Sequence, residues 1–260
     1  MRAEDVHLLE SVDEEMRKRI RDLLRWASSF RTDYSSDGLF RFLQREASEF
    51  LKDSFVYLEE IADTTASGRL RVAAILLRAQ FEGTVEARLL LGENSDGAVH
   101  ENVIMKEAHF FCDAYRKAIS FPDNDAAAKV ELLQKVSFVD ELNKKFGWKN
   151  HPRHWSALPT IEGRAKKTGM LAMYRTFYGV LSWDAHHVAI PRLQRRETTD
   201  DAHAKSLNSI KLMSTSAQIF LKLIGRTRRY LALADDQINE LEDRLKDVVG
   251  ATSRLADQYL

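Results

Sequence analysis

An all-α fold is predicted by three features of the sequence. Pro 4 and Gly 11 in 260 residues are too few for a sheet protein, which needs turn residues every ~8–12 positions. Apolar residues recur at three- and four-residue steps through most of the chain, the period of a helix with one buried face. Hydrophobic residues make up 44% and charged residues 30%, enough for a real core inside wetted helix faces. Length alone indicates one large domain or one domain with an appended element.

The first helix is predicted from about Glu4 to Phe30, with Leu9, Val12, Met16, Leu23 and Ala27 on one face. Thr32 to Gly38 is a loop by turn chemistry. A second helix runs from about Leu39 to Ala62, with Leu43, Ala47, Leu51, Leu58 and Ile61 inward. Leu70 to Gly92 is the most apolar stretch, so it is expected to be the buried central helix. Arg78 and Glu82 lie one turn apart on it and need polar partners. Val99 to Ser120 and Ala126 to Phe146 read as two more helices. Gly147 to Thr160 carries two tryptophans, two prolines and two histidines without a helical period, which predicts a long ordered loop. Thr160 caps a short helix that Gly169 ends. Met170 to about Val188 follows, ended before Pro191, and a linker runs to about Asp201.

From Ile210 to Tyr259 a seam of apolar and small residues steps by three and four, passing through Gly225. Such a seam predicts one long helix of roughly 80 Å, coiled-coil-like from about Arg226. Its narrow stripe of Leu231, Ile238, Leu241, Leu245, Val248 and Leu255 suits pairing with another chain. The expected organisation is a helical bundle over 1–203 and the C-terminal helix over 204–260. A homodimer is expected, with a protein partner through that helix as a further use of it.

Lys+Arg 39 balances Asp+Glu 39, so no global field draws the chain to nucleic acid or membrane. Cys112 is the only cysteine, which excludes an intrachain disulfide and a thiolate zinc cage. The opening MRAEDVHLLE does not read as a signal peptide, and no window offers 18 uninterrupted apolar residues. A cytoplasmic protein without membrane contact is expected. The phosphate-binding glycine loop, the nucleophile elbow and the His-Glu-x-x-His helix are all missing, and no cofactor is expected.

Three sets of residues could carry chemistry. Ser182, His186 and His187 near a helix C-terminus could do acid–base work near neutral pH, or could simply favour the helix dipole. Asp184-x-x-His187 and Asp200-x-x-His203, with Glu82 or Glu86, resemble half of a carboxylate-bundle metal motif. Chance alone supplies such pairs in a chain this acidic (Glu4-x-x-His7 is a third), and no metal is expected. Basic patches occur at Arg192, Arg195 and Arg196, at Arg226, Arg228 and Arg229, and around Lys149 to Lys167, where Trp148, His154 and Trp155 interleave. Aromatics among cations suit single-stranded RNA, although a solvated charged face with core tryptophans gives the same pattern.

Three stretches together resemble a known family: the Arg78-x-x-x-Glu82 helix, the Trp155 loop with its following Lys-x-Gly helix, and the Tyr178-x-x-Leu-Ser182-x-x-x-His186 motif. Their order and spacing are similar to those of an uncharacterised bacterial branch of the HEPN superfamily, over about 70–191. The resemblance implies a helical bundle, often dimeric, and a metal-independent ribonuclease or RNA-binding effector in defence or toxin systems. It implies that His186, or else His187, is the acid–base group, with Ser182, Tyr178, Arg78 and Glu82 around it; the basic and aromatic residues Arg192, Arg195, Arg196, Trp155 and His154 are the candidate RNA contacts. The superfamily's Arg-x-x-x-x-His motif is incomplete here: Leu181 and Ser182 stand where its Arg belongs. The phosphate-steadying cation must then come from Arg78, Arg175 or Arg192. A non-catalytic scaffold or sensor acting through oligomerisation, and a metal-dependent helical-bundle enzyme, are the alternatives.

Overall fold

The computed structural model describes residues 3–93, 95–120, 136–147, 154–156, 158–178 and 202–252. Among them the regular elements are all helical, as the composition predicts. They are α1 (Ala3–Ala27), α2 (Gly38–Ala66), α3 (Leu70–Leu91), α4 (Asp96–Ser120), α5 (Val136–Lys145), α6 (Ile161–Lys167), α7 (Leu171–Met173), α8 (Ala202–Thr227) and α9 (Asp235–Gly250). A π-helical turn, Tyr174–Tyr178, continues α7, and a 3-10 turn, Arg228–Tyr230, follows α8.

Local chemistry sets several of these ends. The Asp37 carboxylate accepts the Phe40 backbone N–H at 2.7 Å and starts α2. The Thr160 hydroxyl accepts the Gly163 N–H at 3.1 Å and starts α6. Gly169, at φ +72°, turns the chain out of that helix in a conformation glycine adopts at little cost.

The central helix is α3, which packs against α2 on one side and α8 on the other. Ala73, Leu77, Phe81, Val85, Leu90 and Leu91 are buried along it. A buried polar pair fixes its register on α8. The Ser216 hydroxyl donates to Gln80 Oε1 at 2.8 Å, and Gln80 Nε2 donates back to the Ser216 carbonyl at 3.3 Å. Neither group reaches water, so losing one strands the other. On the far side of α8, α1 packs against α2, α8 and α9. Arg17 joins three of these helices: it grips Asp13 at 2.9 Å, Thr65 Oγ1 at 2.9 Å and Ser209 Oγ at 2.7 Å, and donates to the Ala62 carbonyl.

The single long C-terminal helix is corrected. The chain leaves helix α8 after Thr227, passes through the 3-10 turn and restarts at Asp235. Ile238, Leu241, Leu245 and Val248 are buried inside the chain itself, where α9 folds back on α1 and α8. Tyr230 secures the corner: it is 1% exposed, and its hydroxyl donates to Asp96 Oδ1 at 2.8 Å. Burying four large apolar residues is worth several kcal/mol, which outweighs the few helical hydrogen bonds lost at the turn. Leu255 lies outside the described residues.

Two arginines tie helix ends together. Arg88 donates to the Thr168 carbonyl, 2.8 and 3.0 Å from Nη2 and Nε, and to the Lys222 carbonyl. Arg226 donates to the Gly92 carbonyl. A Cβ on Gly92 would stand 2.1 Å from the Arg88 carbonyl oxygen and 2.9 Å from Arg226 Nε. Gly92→Ala is therefore expected to cost about 1–3 kcal/mol of stability, measured by urea denaturation. An unchanged midpoint would show that the end of α3 tolerates a side chain.

Candidate functional site

On α3, Arg78, Glu82 and Glu86 recur at four-residue steps, so one face of the most apolar helix carries two carboxylates and a guanidinium. Each carboxylate is held by a different later part of the chain.

Glu82 Oε1 accepts from Arg78 Nε at 2.9 Å and from the Tyr178 hydroxyl at 2.6 Å. The Arg78 guanidinium also lies over the Tyr178 ring, 5.1 Å from its centroid. Tyr178 is delivered by the π-helical turn, stacks on Tyr174 at 5.0 Å and packs against Phe81 at 5.5 Å. Burial, and then the hydrogen bond to Glu82 and its charge, push the Tyr178 phenol up to about 12. Tyr178 is thus a fixed donor at neutral pH, not a base. Burial opposes the Arg78 charge, but its contacts with Glu82 and Tyr178 prevail and raise its pKa. From α2, Tyr57 borders the cluster; burial and the charges of Asp53 and Glu82 raise its phenol.

One turn further along α3, Glu86 holds the tryptophan loop. It accepts the indole N–H of Trp155 through Oε1 and pairs with His154 Nε2 through Oε2 at 2.9 Å. His154 Nδ1 lies 2.8 Å from Ser156 Oγ and accepts the Ser156 backbone N–H at 3.3 Å. A backbone N–H can only donate, so the proton of the neutral ring sits on Nε2, facing Glu86. Burial works against the Glu86 charge, but hydrogen bonds from His154 and Trp155, together with electrostatic attraction to His154 and Lys106, hold its carboxyl below its ordinary value.

The geometry brings five of the sequence-derived residues to one side of α3: Arg78, Glu82, Tyr178, His154 and Trp155. Trp155 is only 5% exposed, so its ring anchors the loop and has no open face on which a base could stack. Ser182, His186, His187, Arg192, Arg195 and Arg196 lie outside the described residues, as does the Asp184–His187 pair. Among the described residues no group of three or more His, Cys, Asp or Glu side chains could hold a metal ion. The anchoring role of Glu86 was not foreseen from sequence. Its signal was the Arg78–Glu82–Glu86 spacing, since a second carboxylate on an apolar helix needs its own donors.

An all-α bundle whose central helix fixes later segments through paired carboxylates is the class this fold and site define. Residues 44–204, well over half of the chain, match the model of a family of unknown function, DUF5677, and the chain belongs to that family. The matched span takes in α3, the tryptophan loop and Tyr178. No curated protein and no solved structure matches the chain.

Two predictions follow from these anchors. Glu86→Gln leaves the donors of His154 and Trp155 without a charged acceptor and is expected to cost about 1.5–3 kcal/mol at pH 7. Because the Glu86 pKa is lowered by folding, its contribution is present above the ordinary carboxylate value of 4.5 and is lost as pH falls below it. The Glu86→Gln penalty, read from urea midpoints at pH 7 and pH 3, should therefore shrink in acid; a penalty independent of pH would contradict the charged anchor.

Tyr178→Phe removes the donor to Glu82 and is expected to cost about 1–2 kcal/mol. A phenol raised by folding stabilises below its unfolded value of 10.0 and loses that contribution as pH rises toward about 12. The gap between wild type and Tyr178→Phe should accordingly narrow between pH 9 and pH 11 in thermal melts. A constant gap would show that the hydroxyl does not titrate where this geometry puts it.

Proposed function

We propose that this chain is a HEPN-like protein that binds RNA and cleaves it without a metal ion, as a cytoplasmic homodimer in a defence or toxin setting. The observation that carries the reading is the anchoring of Tyr178 on Glu82, directly beside Arg78. His186 follows Tyr178 by eight residues in the sequence, so the acid–base candidate belongs to a segment whose start is tied to α3. The Arg78 side chain is 22% exposed and supplies the cation that the incomplete Arg-x-x-x-x-His motif lacks.

In this mechanism His186 takes the proton of a ribose 2′-hydroxyl as its oxygen attacks the adjacent phosphorus. The bond to the 5′ oxygen breaks, and that oxygen leaves with a proton from an imidazolium. The products are a 2′,3′-cyclic phosphate and a 5′-hydroxyl. Arg78, oriented by Glu82 and Tyr178, steadies the charge on the phosphoryl oxygens.

His186→Ala is expected to lower cleavage of single-stranded RNA by at least ~10²-fold, and EDTA is expected to leave the wild-type rate unchanged. Equal rates for the wild type and the His186→Ala, His187→Ala double variant would remove the assignment. Complete loss with EDTA would replace it with a metal-dependent reaction.

A scaffold acting through oligomerisation is favoured by one separate observation. Phe110 on α4 is 71% exposed, and Val56, Val72 and Ile75 on α2 and α3 are also exposed. Since the C-terminal seam is occupied by the chain's own helices, a dimer would form through the bundle. Light scattering is expected to give twice the chain mass for the wild type and a larger monomer fraction for Phe110→Glu. A wild type that is monomeric at micromolar concentration would contradict both the dimer and the scaffold.

A further inference from the structure

The corner between α8 and α9 opens as a groove of about 680 Å³, lined by Gly225, Arg226, Arg228, Arg229, Leu233 and Asp235 among others. Two of its three arginines have fixed acidic partners. Arg228 reaches Asn239 Oδ1 at 2.8 Å, Asp235 Oδ1 at 3.3 Å and Glu242 Oε1 at 3.6 Å. Arg229 lies 2.8 Å from Asp96. Arg226 differs. Its guanidinium donates to the Gly92 carbonyl, and among the described residues no carboxylate stands within ion-pair distance of it.

The neighbour of Arg226 is another guanidinium. Among the described residues Arg88 donates only to the carbonyls of Thr168 and Lys222, and burial together with the charge of Arg226 lowers its pKa. Two like charges thus meet at a corner where their own partners are neutral carbonyls near helix C-termini, which carry only partial negative charge. Arg228 and Arg229 are matched by Asp235, Glu242 and Asp96, which leaves Arg226 and Arg88 as the two guanidiniums here without a carboxylate among the described residues. Such an arrangement is short of anionic charge, and planar guanidinium forks match the oxygens of a phosphate.

We infer that this groove is a binding site for a phosphate oxyanion, centred on Arg226. Its volume exceeds that of one phosphate group and falls in the range of small-molecule sites. The phosphate therefore arrives on a larger carrier, either a free nucleotide or a stretch of nucleic-acid backbone, whose sugar can lie against Leu233. Arg226 meets the end of α3 at the Gly92 carbonyl, ten residues or roughly 15 Å along the helix from Glu82. It is a separate site, and it does not depend on RNA cleavage or on His186.

The test titrates the full chain, at fixed ionic strength, with adenosine monophosphate and with a short single-stranded RNA, by calorimetry. Two variants report on the groove. Arg226→Gln removes the uncompensated charge. Gly225→Glu brings a carboxylate to the groove wall at a position where an added Cβ meets nothing within 4 Å, so it leaves the fold intact; circular dichroism checks this. Wild-type binding of at least one probe, weakened about tenfold or more in both variants, is the expected result. Tighter binding of RNA than of the monophosphate assigns the backbone as the source of the phosphate; the reverse assigns a free nucleotide. No binding of either probe by the wild type, or undiminished binding in Gly225→Glu, overturns the proposal.

Discussion

The structure depends on two carboxylates placed on its most apolar helix. Glu82 and Glu86 lie on α3, whose other faces are filled by Leu77, Phe81, Val85 and Leu90. The Glu86 side chain is mostly withdrawn from water, which is costly unless donors surround it, while Glu82 stays 40% exposed and is half-solvated. Local sequence supplies one donor, Arg78. The others come from far along the chain: His154 and Trp155, 68 and 69 residues beyond Glu86, and Tyr178, 96 residues beyond Glu82. Satisfying these charges therefore fixes the tryptophan loop and the π-helical turn on the central helix. Whatever the segment beyond Tyr178 does, it starts from that anchor.

Other buried polar contacts hold the frame around α3. The reciprocal Gln80–Ser216 pair sets the register of α3 on α8. The Arg17 network ties α1 to α2 and α8 through Asp13, Thr65 and Ser209. Arg88 and Arg226 then draw the ends of α3, α6 and α8 together by donating to their carbonyls. Arg17 and Arg88 each satisfy acceptors on two or more helices, so the loss of either would loosen a junction and not merely one contact.

Much of the fold was legible in the residues. The three- and four-residue steps of Leu9, Val12 and Met16, and of Leu43, Ala47 and Leu51, gave α1 and α2 because burial of one face enforces that period. Thr160 and Gly169 marked the ends of α6 by side-chain and backbone chemistry that acts within four residues. The need of Arg78 and Glu82 for polar partners was also readable, and Tyr178 fills it. The C-terminal break was not seen, because the steps from Thr227 to Leu231, Ala234 and Ile238 keep a heptad spacing straight through the turn. A seam reports which residues are buried, not whether the helix between them continues. The acids Asp235 and Asp236, now in the first turn of α9, were the available signal of a new helix start. The Glu86 anchor was missed because its donors lie in a loop without periodicity, where pairing is decided by tertiary packing alone.

The central claim, that the α3 carboxylates hold the tryptophan loop and the Tyr178 turn in place, is tested most directly by hydrogen–deuterium exchange. The comparison is between the wild type and a Glu82→Gln, Glu86→Gln double variant. The account predicts that amides within residues 154–178 lose at least about tenfold in protection, roughly 1.4 kcal/mol of local stability. Those of α1, α2, α8 and α9 should change little. Unchanged protection across 154–178 would contradict it, and so would a uniform loss over the whole chain.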